Sequence, residues 1–203
     1  MSGAIVIASI VEGHGEVTGL PVLLRRIAAE RHNVHVDVLK PHRVPRANMV
    51  RRTDELQKAV RLQANRVRGT GAVIVLADAD DDEPEALRET LRATVEGASP
   101  SVPIVVALAV REYEAWFLAG IESLRTHPSV RDDATYDDDC EAPRNPKLRL
   151  ERLMTESYGS VRHQVAFNAR LDLDEVASRS SSFRQFLGAV AAVVDPEGES
   201  VDG

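Results

Sequence analysis

Four short stretches of the chain are nearly all apolar or alternate apolar with polar residues. They are Ala4 to Ile10 (AIVIASI), Val34 to Leu39 (VHVDVL), Ala72 to Ala77 (AVIVLA) and Pro103 to Val110 (PIVVALAV). The first, third and fourth are continuous runs rich in Val and Ile, as expected of strands covered on both faces. The second alternates, which suits a strand nearer an edge. Between them the apolar period becomes helical. Val17 to Arg31 places Leu20, Leu23, Leu24 and Ile27 on one face, and Asn48 to Arg68 does the same with Leu56, Val60 and Val67. Glu83 to Val95 carries Leu87 and Leu91, with Pro84 in a first-turn position that tolerates proline. Strands alternating with helices predict right-handed crossovers and a mainly parallel, four-stranded sheet flanked by helices.

After Ile121 no strand signal returns. Arg131 to Pro146 (RDDATYDDDCEAPRNP) reads as a long surface loop. Helices are predicted over Pro146 to Tyr158 and Ser181 to Val194, with one or two shorter ones between. The expected organisation is an α/β core over 1–125, a helical extension packed on it over 126–195, and a frayed tail over 196–203. The 203 residues suit one elaborated domain, large enough to fold without staples. The single cysteine, Cys140, rules out an internal disulfide framework and a cysteine-based zinc site, and points to a reducing compartment. No apolar run approaches the ~20 residues of a membrane helix, and no basic leader opens the sequence. The expectation is a cytoplasmic protein without membrane contact.

Charge adds a polarity. The formal net charge is −7, yet Lys40 to Arg68 holds nine Lys/Arg against Asp54 and Glu55, a balance of +7. A basic segment beside an acidic remainder is compatible with a metal-dependent enzyme acting on a polyanion. Arg51, Arg52 and Lys58 are the candidate nucleic-acid contacts. Arg51 and Lys58, seven apart, fall on one face of a continuous helix. The competing reading of this segment is a solvated helix face.

Chemistry in a parallel α/β sheet collects beyond the carboxyl ends of its strands. Three of the four predicted strands run into carboxylates there. The first leads into VEGHGE (Glu12, Glu16), the third into DADDD (Asp78, Asp80, Asp81, Asp82), and the fourth into REYEAW (Glu112, Glu114). Each alone could be a helix cap or first-turn acid. Together, like charges at one edge repel and raise each other's pKa unless cations neutralise them. Hard oxygen donors with room for water suit Mg²⁺ or Mn²⁺. Glu112 and Glu114 share a face if that stretch is still extended and diverge if a helix has begun. EGHGE lacks both the GxGxxG and the Walker patterns, so it is not a nucleotide loop.

A strand, an EG-containing turn and a later strand ending in DxD resemble the Toprim domain of topoisomerases, primases and nucleases. The ordered set EGHGE, DADDD, REYEAWFLA, NPKLRLERL and SSFRQF is similar to an uncharacterised Toprim-like family often encoded near AAA ATPases, and to the OLD (overcoming lysogenization defect) nucleases. The resemblance implies a Toprim-like Rossmannoid fold. It implies Glu12 as acid/base residue or ligand, and Asp78 and Asp80 as Mg²⁺ ligands. By likeness to OLD, Glu16, Glu112 and Glu114 are further candidate ligands, and Lys147 would offset transition-state charge. That branch carries its ATPase domain in the same chain, so a separate AAA-type ATPase partner is implied here.

Two cations about 4 Å apart can activate water and stabilise the leaving oxygen of an in-line phosphodiester displacement. The expected function is therefore metal-dependent hydrolysis of nucleic acid, DNA first. The alternatives are a non-catalytic metal-binding partner module of an ATPase complex and a HAD-type phosphatase. The latter wants its DxD after the first strand, where EGHGE stands. His14 reads as a surface residue, and His32, His35 and His42 lack ligand spacing. Trp116 and Phe117 read as core, and Ser180, Ser181 and Ser182 as a helix cap.

Overall fold

The computed structural model describes residues 4–195, so the tail expected over 196–203 lies outside the described residues. The chain runs β1 (Ile5–Val11), α1 (Glu16–His32), β2 (Val36–Val38), β3 (His42–Arg43), α2 (Arg46–Arg51), α3 (Thr53–Ala64), β4 (Gly71–Asp78), α4 (Pro84–Glu96) and β5 (Ile104–Ala109). Then follow α5 (Glu114–Ala119), a 3₁₀ turn (Ser123–Thr126), α6 (Pro146–Arg152), α7 (Ser160–Asn168), α8 (Leu173–Arg179) and α9 (Ser181–Val194). All strand pairs are parallel, in the order β2-β1-β4-β5, with β3 also on β1.

The sheet therefore has five strands rather than four. β2 pairs with Ile5 to Ile7 and β3 with Ile10 and Val11, so the two lie end to end along one edge of β1. Pro41, which has no N–H to give the ladder, sits in the interruption. The predicted alternating strand is indeed an edge strand, shortened to three residues.

Side-chain alternation splits the interior into two cores. Val6, Ala8 and Ile10 of β1 and Val73, Val75 and Ala77 of β4 pack with α2, α3 and α4. Ile7, Val11, Ile74 and Leu76 face α1 and the C-terminal helices. On that second face Trp116, Phe117, Phe167, Phe183 and Phe186 are fully buried. The Trp116 ring lies 5.2 and 5.1 Å from those of Phe183 and Phe186, and its Nε1 donates to Ser182 Oγ at 2.9 Å. These contacts fasten α9 to α5. Ser180 caps α9 by accepting from Phe183 N at 3.0 Å, as its position before the apolar run predicts.

One predicted helix is two. Asn48 to Arg68 was expected to be continuous, but Arg52 leaves the helical region (φ −122°, ψ 80°) between α2 and α3. Asp54 and Glu55 restart a helix in the first turn of α3, where the helix dipole favours acids. Arg51 and Lys58 thus belong to different helices and share no face. Pro146 to Tyr158 is likewise shorter, ending at Arg152. No helix among the described residues is long and apolar enough to cross a membrane.

Candidate metal centre

β1 and β4 are the central pair, and their chain connections leave in opposite directions. α1 takes the chain from β1 to the β2 side on one face, while α4 takes it from β4 to β5 on the other. The crevice beyond β1 and β4 is the topological switch point, where ligands of open α/β sheets bind. Glu12 and Asp78 stand there. Asp78 N donates to Glu12 Oε2 at 3.4 Å. The structure brings Glu12, Glu16, Asp78, Asp80 and Glu114 into one electrostatic neighbourhood, with Glu112 beside Glu114.

The loops are drawn together by their own backbone. Ala79 N donates to Ala109 O and Asp80 N to Arg111 O, each at 2.8 Å, carrying the β4–β5 ladder past the strand ends. Asp80 (φ 49°) and Arg111 (φ 66°) both adopt the left-handed region, unusual for residues with a Cβ. The EGHGE turn is held by Glu16, whose carboxylate accepts from Gly13 N at 2.5 Å and from Gln164 Nε2 at 3.2 Å. Gly15 lets α7 come close: a Cβ there would lie 2.5 Å from Gln164 Oε1.

The acids divide into a rim and an inner wall. On the rim, Arg46 from the start of α2 places Nε 2.9 Å from Asp80 Oδ2 and Nη1 3.7 Å from Glu12 Oε2. It also pairs with Asp82 and donates to the carbonyls of Asp78 and Ala79. Asp81 is held by Arg111 at 2.8 Å and by Arg144 at 3.4 Å. The inner wall is Asp78, Glu16 and Glu114, the last two 8% and 6% exposed. None of the three has a cationic partner among the described residues. Behind them stand Tyr113, whose hydroxyl donates to Asn168 Oδ1 at 3.1 Å, and Tyr158, whose hydroxyl lies beside Glu114 and Gln164 without completing a hydrogen bond. Gln164 Oε1 and Asn168 Nδ2 are likewise buried without a partner.

Proton affinities follow this division. Burial, reinforced by Glu16, Glu114 and Glu12, pushes Asp78 well above the usual carboxylate range. Burial raises Glu114 to about 7, with Glu112 and Glu16 adding to it. Glu12 is raised by burial too, against the opposing pull of Arg46. A cation placed among such carboxylates would favour their ionised forms. Their hard oxygen donors fit Mg²⁺ or Mn²⁺. Among the described residues no three Asp, Glu, His or Cys side chains are already gathered as a cation cage.

The remaining candidates fall around this edge. α5 begins at Glu114, so Glu112 and Glu114 diverge: Glu112 Oε2 accepts from Lys147 N at 3.0 Å, while Glu114 turns inward. Lys147 is exposed, with Nζ 5.9 Å from the centre of the Tyr158 ring. His14 is exposed, and Lys58 is engaged within α3 by Asp54 (3.2 Å) and Glu55 (3.5 Å). Arg51 and Arg52 are exposed and stand apart from the acidic edge's ion pairs. Sequence reasoning missed Arg46, Tyr158, Gln164 and Asn168. The signal for the last two was present: polar residues four apart on α7, flanking Phe167, mark a buried polar stripe.

The fold is similar to that of the C-terminal region of the Burkholderia pseudomallei OLD protein, with TM-score 0.50 and 18% identity over 95% of this chain and 99% of that one. The C-terminal region of the Xanthomonas campestris pv. campestris OLD protein also matches, at TM-score 0.47 and 18% identity over 95% and 97%. By its likeness to the Burkholderia structure the fold is Toprim-like, a parallel sheet flanked by helices with a helical C-terminal part. No curated protein matches the sequence. A family model matches residues 11–191, and the chain belongs to that family, the domain of unknown function DUF4276.

Proposed function

We propose that this chain is a divalent-metal-dependent phosphodiesterase acting on nucleic acid, DNA in the first instance, in concert with an AAA-type ATPase. The observation that carries the reading is the inner wall: Asp78, Glu16 and Glu114, packed together at the switch point with no cation to balance them. Glu12, Glu16, Asp78, Asp80 and Glu114 would hold Mg²⁺ or Mn²⁺, with Glu112 at the outer margin. A cation there supplies Lewis-acid activation of water and stabilisation of the leaving oxygen.

The chain's own residues do the rest. Glu12, in the role of base rather than ligand, would take up the proton of the attacking water on its carboxylate, whose proton affinity burial raises. Gln164 holds Glu16 from behind, Tyr113 is itself held by Asn168, and the buried aromatic wall of Tyr113 and Tyr158 excludes bulk water. Lys147, beside Glu112 and over Tyr158, is placed to meet negative charge developing on the phosphate.

Asp78→Asn tests the reading. Titration calorimetry with Mn²⁺ should show wild-type binding lost in the variant, and cleavage of plasmid or linear DNA should fall by at least about 10²-fold, the scale of losing a principal electrostatic contact. Cleavage that survives EDTA, or unchanged Mn²⁺ affinity in the variant, overturns it. Metal binding without cleavage of DNA or RNA favours the non-catalytic partner module.

A further inference from the structure

The segment NPKLRLERL forms α6 and the loop before it, and the metal centre uses only its Lys147. Its other basic residues converge elsewhere. Arg144, Arg149 and Arg152, with Pro143, Asn145 and Leu148, line a cleft of about 210 Å³. That is several times the ~30 Å³ share of one water. All three arginines are exposed, and no carboxylate lines the cleft. Among the described residues Arg149 and Arg152 make no ion pair, and Arg144 makes only its 3.4 Å contact to the rim residue Asp81.

Three arginines lining one cleft repel one another, and only Arg144 has an acid, Asp81, to offset this. Arg149 and Arg152 are three apart on α6 and therefore neighbours on its surface. Arg144 is fixed from the other side by Asp81. Such a fork-shaped donor set suits the tetrahedral oxygens of a phosphodiester.

The cleft also has a fixed relation to the acidic edge. Lys147 N is bonded to Glu112, and Arg144 reaches the loop after β4. Lys147, at the margin of the acidic edge, is flanked in the chain by the cleft residues Asn145, Leu148 and Arg149, so the cleft adjoins that edge.

We propose that Arg144, Arg149 and Arg152 form a phosphodiester-binding subsite that holds the nucleic-acid backbone beside the acidic edge. This rests on the nuclease reading for its purpose but not for its test. The probes are fluorescent single-stranded and duplex DNA and RNA oligonucleotides, with anisotropy measured at several salt concentrations in EDTA. Arg144→Ala/Arg149→Ala/Arg152→Ala should bind at least about tenfold more weakly at ~100 mM salt, with the log–log salt slope reduced by roughly 2 to 3, as expected for three lost phosphate contacts.

The corresponding Lys variants keep the charge and should recover most of the slope but less of the affinity, because the planar forks are lost. Arg51→Ala/Arg52→Ala/Lys58→Ala is the control at the other basic segment. Equal losses in both triple variants would indicate diffuse attraction and overturn the subsite. So would unchanged affinity in the first triple, absence of nucleic-acid binding by the wild type, or competition by polyglutamate as effective as that by DNA, which marks a protein-docking surface. If the wild type binds but does not cleave, and the arginine variant still loses binding, the subsite stands and the nuclease reading falls.

Discussion

The rim and the inner wall of the acidic edge hold the same kinds of side chain and differ in how their charge is met. Asp80, Asp82 and Glu12 share the Arg46 guanidinium, and Asp81 has Arg111 and Arg144. The side chains of Asp78, Glu16 and Glu114 have one another and further acids nearby but no cationic partner among the described residues; the donors beside them are neutral, Gly13 N and Gln164 on Glu16 and the unpartnered Tyr158 hydroxyl beside Glu114. On the rim, arginine already meets the charge of each acid. On the inner wall no cationic side chain among the described residues meets the charge, and this is the feature on which the proposed cation site rests. Exposure separates them as well, since Asp80 and Asp82 have side chains 47% and 56% exposed while Glu16 and Glu114 are buried.

Removing Arg46 breaks the comparison most directly, because the rim then becomes as unbalanced as the wall. Arg46 is 20% exposed and serves three carboxylates and two carbonyls. Breaking a fully buried pair costs about 3–5 kcal/mol, and partial solvation here should reduce that to roughly 2–3 kcal/mol. Urea denaturation of Arg46→Ala in metal-free buffer should show this loss, and millimolar Mg²⁺ should restore part of it. A variant as stable as wild type would mean that the rim does not need its arginine.

That arginine is also the clearest limit of the sequence. β1, β4 and β5 were legible because burial on both faces leaves runs of Val and Ile that few other elements produce. The acids followed from topology, since each stands just past a strand whose direction the fold class fixes. Arg46 is one of nine cations between Lys40 and Arg68, and nothing local distinguishes the one that folds back on the sheet edge from those facing water. The break at Arg52 was hidden for a similar reason, as the residues around it are all acceptable in a helix. β3, two residues between prolines, is too short to carry a period. Linear charge density offers Lys40–Arg68 as one candidate polyanion track; in three dimensions Arg46 and Lys58 there are paired with acids, Arg51 and Arg52 are exposed, and Arg149 and Arg152 of α6 line an open cleft.

The inner wall makes a pH-dependent prediction of intermediate size. Glu114, Asp78 and Glu12 all have folded pKa values above their unfolded ones. Each therefore contributes stability that is fully present below the unfolded carboxylate pKa and is lost as pH rises through the folded value. For Glu114 the window runs from 4.5 to about 7, worth roughly 3 kcal/mol at most and less when neighbours share the proton. Metal-free wild type should lose stability between pH 5 and pH 8, on the order of 1–2 kcal/mol from this residue. Glu114→Gln should flatten the profile, and saturating Mn²⁺ should flatten it in the wild type. Parallel profiles for variant and wild type would place the strain elsewhere in the wall.

Lys58 sets the floor of the comparison. It is paired like Arg46, with Asp54 at 3.2 Å and Glu55 at 3.5 Å, but its side chain is 63% exposed and its partners lie on the same helix. The contacts hold Asp54 below the usual carboxylate range, through the hydrogen bond from Lys58. Water and salt screen such a pair, and ordering two long side chains offsets what attraction remains. Lys58→Ala should therefore leave the denaturation midpoint unchanged, and a double-mutant cycle with Asp54→Ala should show no coupling at physiological salt. The same cycle between Arg46 and Asp80 should show coupling that persists in high salt, because those charges meet in a crevice with 20% of the arginine exposed. Equal coupling in the two cycles would remove the distinction between a surface pair and the rim, and with it the reason for reading the inner wall as the part of the edge that awaits a cation.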